Sequence, residues 1–257
     1  MGSEHFPEGA VLVFGGSGGI GSVVAHSFAQ AGSDVAIAYR SKQDVAESVA
    51  DGIRKIGQKA SVHATDVTDA AKVQAAVAAA IKEHGRIHTI VFGAGPVVEQ
   101  LHLSETSPEL WNKSIQIEVN GFFNVISASL PHLREGGGGS FVHLGSAGHL
   151  WWPAKDGLSV APKAANEALV KGIAKEEGVH NIRANSVLVG VIEAGMFLEL
   201  LERGVFDQAW IDETQKLLAL KRWGKPEEIG NAAVFLASNK AAYVTGQQIN
   251  VSGGFGI

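Results

Sequence analysis

Between residues 10 and 95 the chain alternates short β-branched runs, "AVLVFGG", "DVAIAYR", "ASVHATD" and "IHTIVFGAG", with the longer stretches "GSVVAHSFAQAG", "VAESVADGIRKIG" and "AAKVQAAVAAAIKEHG". Strands that are apolar without alternation are buried on both faces, and helical crossovers between them make the sheet parallel. Further strands are predicted at "GSFVHLGS", "IRANSVLVG" and "QQINVSGG", with helices around "LWNKSIQIEVNGFFNVISASLPHL" and "PKAANEALVKGIAKEE". The expected fold class is therefore α/β: a Rossmann-type, doubly wound parallel sheet flanked by helices. With 257 residues, 46% of them hydrophobic and 18% charged, the chain suffices for one large core and is short for two. A single domain over residues 1–257 is expected. The glycine run at 136–139 reads as a turn between helix and strand. The segment from Gly195 to Trp223 is helical in pattern, rich in Phe197, Leu198, Leu200, Leu201, Val205, Phe206 and Trp210, and follows a strand end. That placement suits a substrate lid at about 195–223.

A formal charge of −5 with no basic run argues against nucleic acid or an anionic membrane as the main partner. A small-molecule ligand is expected instead. The absence of cysteine excludes disulfides, thiolate catalysis and Cys-ligated metals. The opening "MGSEHFPEGA" is too polar for a signal peptide, and no apolar run reaches membrane-spanning length. A cytoplasmic location is the expectation. The ten histidines show no ligand spacing, "HATD" and "HGRIH" reading as surface and strand-edge positions, so no metal is expected.

Between the first strand and first helix lies "FGGSGGIGS", which parses as G-x-G-x-x-G (Gly16, Gly18, Gly21) or G-x-x-x-G-x-G (Gly15, Gly19, Gly21). Either parse puts small residues where a pyrophosphate meets backbone N–H groups at a helix N-terminus. A tight turn alone would need glycine too, but a strand before and a helix after favour a dinucleotide. The candidate cofactor residues here are Gly15, Ser17, Gly18, Gly19, Ile20 and Gly21. At the end of the second strand, where NAD sites carry an acidic residue, the run is "AIAYRSK". An Arg with a hydroxyl neighbour suits a 2′-phosphate, so Arg40 and Ser41 favour NADP(H) over NAD(H).

With these pieces in place the chain resembles the short-chain dehydrogenase/reductase family along essentially its whole length. The resemblance runs through the glycine loop and "DVTD", where the family sets an Asp and its neighbour, here Asp66 and Val67, against adenine. "GAGP" matches the family's N-N-A-G turn (Gly93, Ala94, Gly95), "VNGFF" its active-site Asn (Asn120), and "HLGSAG" its catalytic serine (Ser146). Lys163 matches the lysine of Y-x-x-x-K, and Gly190 and Ile192 follow the sixth strand on the cofactor side. "RWGKPEEIGNAAVFLAS" and "YVTGQQINVSGGF" match the C-terminal segments. The resemblance implies a homotetramer or homodimer built on the helices around 109–134 and 162–178.

The chain also departs from the pattern. Phe14 stands where a Thr precedes the loop, Phe92 and Gly93 replace two Asn, and Val189 and Ala194 replace a Pro and a Thr. Several of these changes remove a hydrogen bond. The family's catalytic tyrosine is Ser159, one helical turn before Lys163. Only Tyr39 and Tyr243 remain in the chain, and neither position suits a role at the nicotinamide.

In the family the tyrosine moves the proton while hydride passes to or from a carbonyl carbon. A serine hydroxyl donates a hydrogen bond to developing charge but is poorly matched to delivering a proton. Three outcomes remain open. Ser159 and Lys163 with water, or Asp156 or His149 in place of the acid, could carry the proton, against the plainer reading of both as solvated loop residues. Reduction of a conjugated C=C or an iminium carbon could dispense with a strong acid, and the family's 2,4-dienoyl-CoA reductase branch resembles this chain in having Ser-x-x-x-Lys. Or the chain is a catalytically impaired NADP-binding protein or partner subunit. The leading expectation is an NADP(H)-dependent oxidoreductase with Asn120, Ser146, Ser159 and Lys163 in the catalytic positions, reducing a bulky apolar small molecule. Trp151 and Trp152 are candidate pocket walls or packing residues.

Overall fold

The computed structural model describes residues 5–257; the reading of the opening residues falls partly on residues 1–4, outside that range. In chain order the elements are β1 (Ala10–Phe14), α1 (Gly19–Gln30), β2 (Asp34–Tyr39), α2 (Gln43–Lys55), β3 (Ala60–Ala64), α3 (Ala70–His84) and β4 (Ile87–Phe92). They continue as α4 (Pro108–Ile115), α5 (Gly121–Glu135), β5 (Gly139–Ser146), α6 (Gly157–Glu177), β6 (Ile182–Val189), α7 (Met196–Glu202), α8 (Gln208–Lys216), α9 (Pro226–Ala237) and β7 (Gln248–Val251). The strands form one sheet in the order β3-β2-β1-β4-β5-β6-β7, and every pairing is parallel. The chain reverses its direction of travel between β1 and β4, which opens a crevice at the carboxyl ends of those strands.

Each strand feeds two cores because successive side chains point to opposite faces. Val11 and Val13 of β1 pack with Val24 and Phe28 of α1, Ala46 and Ile53 of α2, and Leu236 of α9. Leu12 and Phe14 pack on the other face with Val73 and Val77 of α3, Phe122 and Val125 of α5, and Val170 and Ile173 of α6. Burial on both faces explains why the strands were readable as unbroken apolar runs.

Two local features depart from the sequence expectation. Helix α6 begins at Gly157, five residues before Pro162, which sits inside it. Proline removes the N–H that would have bonded the Leu158 carbonyl, and the Ser114 hydroxyl of α4 donates to that oxygen instead, at 2.5 Å. The long helical stretch from 110 to 133 is also broken: a π turn over Gln116–Asn120 separates α4 from α5. Such widened turns recur at functional sites because they re-aim side chains.

The histidines of "HATD" and "HGRIH" are not at the surface. The side chains of His63, His84 and His88 are buried; the first two share the Ser61 hydroxyl and the third meets Ser33. Strand-edge hydroxyls give these rings partners inside the fold, which a spacing argument cannot reveal. Among the described residues no group of three or more His, Asp or Glu is disposed to hold a metal ion. No described helix is long and apolar enough to cross a membrane.

Candidate active site

The loops after β1, β4, β5 and β6 meet at the crevice. Gly15 adopts φ +83°, a conformation that favours glycine, and its carbonyl accepts from Gly18 N at 2.9 Å. A Cβ on Gly21 would overlap the Gly15 carbonyl oxygen, and one on Gly19 would overlap the Gly195 backbone nitrogen. Gly18 caps α1 with no side chain, so the first-turn N–H groups are left to an external acceptor. That cradle fits a pyrophosphate. Gly93, Ala94 and Gly95 close its floor, Gly93 N donating to the Phe14 carbonyl at 3.0 Å. On the far side Gly190 N donates to the Val251 carbonyl at 3.1 Å, and Ile192 is buried beside Gly224.

Beyond β2, Arg40 and Ser41 are exposed. Asp66 is held below the ordinary carboxylate range by the Thr68 backbone N–H, then by the Thr68 hydroxyl, with the charges of Arg40 and Lys72 adding. Its Oδ1 accepts from Thr68 N at 3.0 Å and Thr68 Oγ1 at 2.8 Å. The neighbouring Val67 is buried, its carbonyl fixed by Asn124 Nδ2 at 2.8 Å.

Ser146 ends β5, its Oγ accepting from Gly148 N at 3.1 Å. The hydroxyl proton thus remains to donate elsewhere. Ser159 and Lys163 lie on the first two turns of α6, and Lys163 Nζ is ion-paired with Glu118 Oε1. Sequence reasoning passed over Glu118. It precedes Asn120 by two residues on the π turn, so one faces into the protein as the other faces out: Glu118 is buried and Asn120 exposed. Gly95 is necessary here, because a Cβ on it would stand 2.5 Å from Glu118 Oε1 and 3.7 Å from Lys163 Nζ.

Behind this pair runs a buried polar chain that the sequence also concealed. Gln248 Nε2 donates to Glu167 Oε2 at 2.9 Å, and Glu167 Oε1 meets His143 Nδ1 at 2.9 Å. Asn166 Nδ2 lies 3.3 Å from His143 Nε2 and donates to the Glu118 carbonyl at 3.1 Å. Burial is the largest single influence on Glu167 and opposes its charge, but the His143 contact and the hydrogen bonds from Ser186 and Gln248 together outweigh it and leave the carboxyl below its usual range. Phe92 and Phe122 flank the His143 ring.

The two candidate substitutes for the missing acid differ. His149 Nδ1 lies 3.0 Å from the Ser146 carbonyl, a bond within its own turn. Asp156 is not a solvated loop residue: Gln100 Nε2 donates to its Oδ1 at 3.2 Å, and burial raises its carboxyl above the ordinary range against the opposing pull of Gln100 and Lys163. Neither tyrosine approaches the site, Tyr39 being packed in the core and Tyr243 fully exposed.

Trp152 lines a cavity of about 350 Å³ with Leu101, Leu103, Ala154 and Lys155. Trp151 packs against Phe255. Both indoles are about half exposed, which excludes core packing. Over residues 196–223, α7 and α8 bring Phe197, Phe206, Trp210 and Trp223 into one aromatic stack, with Phe206 and Trp210 at 3.8 Å between ring centroids.

Residues 15–256 match a family model described as enoyl-(acyl carrier protein) reductase. A 3-oxoacyl-[acyl-carrier-protein] reductase FabG of Aggregatibacter actinomycetemcomitans is 32% identical over 245 residues, spanning 95% of this chain and 98% of its own. An L-rhamnose 1-dehydrogenase (NAD(P)(+)) of a Sphingomonas species is 34% identical over 246 residues, spanning 95% and 94%. Among solved structures, a carveol dehydrogenase from Mycobacterium avium in complex with NAD superposes with a TM-score of 0.90 at 26% identity, covering 99% of both chains. With the fold, the glycine cradle and these relatives in agreement, the chain belongs to the short-chain dehydrogenase/reductase family of nicotinamide-dependent oxidoreductases.

Proposed function

We propose that the protein is an NADP(H)-dependent reductase of a bulky, mostly apolar small molecule, with proton delivery that does not use a tyrosine. The observation carrying this reading is the α6 constellation: Ser159 in place of a phenol, one turn before a lysine whose ammonium is anchored by Glu118. When bound, the nicotinamide would supply the hydride. Gly15, Ser17, Gly18, Gly19, Ile20 and Gly21 would hold the pyrophosphate, and Asp66 and Val67 would border adenine. Gly93, Ala94, Gly95, Gly190 and Ile192 would line the path to the nicotinamide. Lys163 would bind its ribose from a position fixed by Glu118. Ser146 and Ser159 would donate hydrogen bonds to the acceptor's oxygen, in the water-poor space closed by the lid at 195–223; Asn120, which faces outward from the π turn, would take part only from its rim.

Arg40 supports NADP(H): it is exposed at the end of β2 and within electrostatic reach of Asp66. Apolar substrate is supported by the Phe197, Phe206, Trp210 and Trp223 stack, in the segment that leaves the glycine loop at Gly195. Ser159 also favours a second reading of the acceptor, a conjugated C=C or iminium carbon, because an enolate is stabilised by hydrogen bonds alone and an iminium needs no proton. The same reading makes the protein cytoplasmic and a homotetramer or homodimer through α4, α5 and α6, where Phe123 is exposed.

Titration of NADPH fluorescence tests the cofactor, and absence of binding to both NADPH and NADH at millimolar levels would overturn the proposal. Turnover on matched enone, imine and ketone panels separates the acceptors. Rapid reduction of simple ketones by a variant lacking every carboxyl donor near Ser159 would refute the mechanistic part.

A further inference from the structure

We infer that Asp156 is the proton donor of this site, standing in for the absent phenol; the inference rests on the reductase reading above. Asp156 is the residue at the mouth of α6, immediately before Gly157. Aspartate in such a position ordinarily turns its carboxylate onto the first free N–H groups of the helix. Here no side-chain cap bond forms, and the carboxyl is held instead by Gln100 Nε2 at 3.2 Å. The backbone enforces that choice. Lys155 adopts φ +68°, a left-handed conformation for a residue with a side chain. Its carbonyl accepts from Leu101 N at 3.0 Å, and Leu101 and Asp156 form a parallel bridge.

Leu101, Lys155 and Gly157 line the 350 Å³ cavity. Gln100 and Asp156 bond each other, and the charge of Lys163 acts on the carboxyl. Asp156, Ser159 and Lys163 are spaced three and four residues apart along α6, so they form one stripe facing the crevice. The groups facing the carboxyl are Lys163 from its own helix and Gln100 from the loop after β4, with Glu118 of the π turn on the far side of the lysine.

The chemistry balances with these groups. The bound reduced nicotinamide would supply the hydride to the acceptor carbon, and the π pair of the carbonyl, or of the conjugated enone, would move onto oxygen. That oxygen forms a bond to the carboxyl proton as the Asp156 O–H bond breaks. Ser146 and Ser159 steady the oxygen by hydrogen bonds, and Lys163 faces the carboxylate left behind, which regains its proton from water. Burial holds this carboxyl above the ordinary aspartate range, the direction a general acid requires.

The test has two arms. In the cofactor-free protein, carbon-13 NMR of labelled aspartate side chains, with Asp156→Asn or Asp156→Glu to identify the resonance, is expected to show Asp156 titrating above the ordinary value of about 3.9. Titration at or below that value overturns the inference. With NADPH and the acceptor chosen from the panels, Asp156→Asn is expected to lower kcat by about 10²-fold or more, in the range of general-acid catalysis, with NADPH affinity changed less than twofold. Asp156→Glu restores part of the rate and shifts the acidic limb of the pH profile. An unchanged kcat in Asp156→Asn overturns the inference. Failure of the wild-type protein to bind NADPH overturns the reductase reading separately, and the NMR arm, which needs no cofactor, still decides the state of the carboxyl.

Discussion

Replacing Glu118 by Gln removes one charge from a pair whose other member cannot leave. Glu118 has 2% of its side chain exposed and Lys163 19%, with the ammonium on the carboxylate. Breaking a buried ion pair by removing one partner typically destabilises by about 3–5 kcal/mol, because an uncompensated charge stays behind. The partial exposure of Lys163 lets water reach it, which places the expected loss at the lower end, about 3 kcal/mol. For a chain of this size each kcal/mol lowers Tm by about 2–4 °C, so Glu118→Gln should melt about 6–12 °C below wild type. The amide keeps the shape, and the Asn166 bond to the residue-118 carbonyl is a backbone contact that survives the change. The double variant Glu118→Gln with Lys163→Met separates the pair from its parts: it should recover about 2 kcal/mol relative to the sum of the single losses. Urea unfolding at one fixed protein concentration measures all four proteins, since assembly would otherwise shift the midpoints. A Glu118→Gln loss below about 1 kcal/mol with additive singles would refute the claim that this carboxylate anchors the lysine.

Burial, with the Arg86 charge adding, pushes His88 down to about 3. The unfolded chain therefore binds this proton between about pH 6.5 and 3 while the folded one does not, so its contribution is present above pH 6.5 and lost as pH falls. His88→Gln should reduce the slope of unfolding free energy near pH 5 by about 1.4 kcal/mol per pH unit; equal slopes in urea titrations from pH 4.5 to 7 would show that the ring is not held neutral. Gly19→Ala drives a Cβ into the Gly195 backbone and should weaken NADPH binding at least tenfold by fluorescence; unchanged affinity would remove the glycine cradle from the cofactor site. Arg40→Ala should weaken NADPH about tenfold and leave NADH within twofold, and equal losses for both would place Arg40 away from the 2′-phosphate. Trp210→Ala empties the centre of the aromatic stack in the 196–223 segment and should raise KM for an apolar acceptor more than it lowers kcat; an unaltered KM would detach that segment from substrate binding.

The sequence was most informative where one residue's surroundings are set by its own segment. The stretch "GSFVHLGS" coincides with β5, Gly139–Ser146, because a strand buried on both faces is a local apolar run. The glycine loop was legible for the same reason, its turn and helix entry being encoded within nine residues. Pro162 misleads because its missing N–H is normally a mark of a helix start, and the compensation comes from Ser114, 44 positions from the Leu158 carbonyl that it bonds. Glu118 was hidden in a similar manner, its partner lying 45 positions distant on another helix. Among the apolar neighbours of "IEVN" a glutamate looks like a solvated helix residue until the π turn rotates it inward. Asp156 passed as a loop aspartate because its environment is made by Gln100 and by the conformation of Lys155.

Two carboxyl groups compete for one ammonium in this site, and that competition gives the missing tyrosine its meaning. In the family pattern a lysine beside a phenol makes the phenol a better acid. Here Lys163 is committed to Glu118 by direct contact, so it acts on Asp156 only from a distance, and burial outweighs that attraction. A lysine free of Glu118 would draw toward Asp156 and favour its ionised form, leaving a base where the reduction needs an acid. Glu118→Gln should therefore lower the Asp156 titration in the cofactor-free protein, by carbon-13 NMR, even though the two residues do not touch. An Asp156 resonance that titrates identically in the variant would show that the pair fixes only the position of Lys163 and has no part in keeping the proton on Asp156.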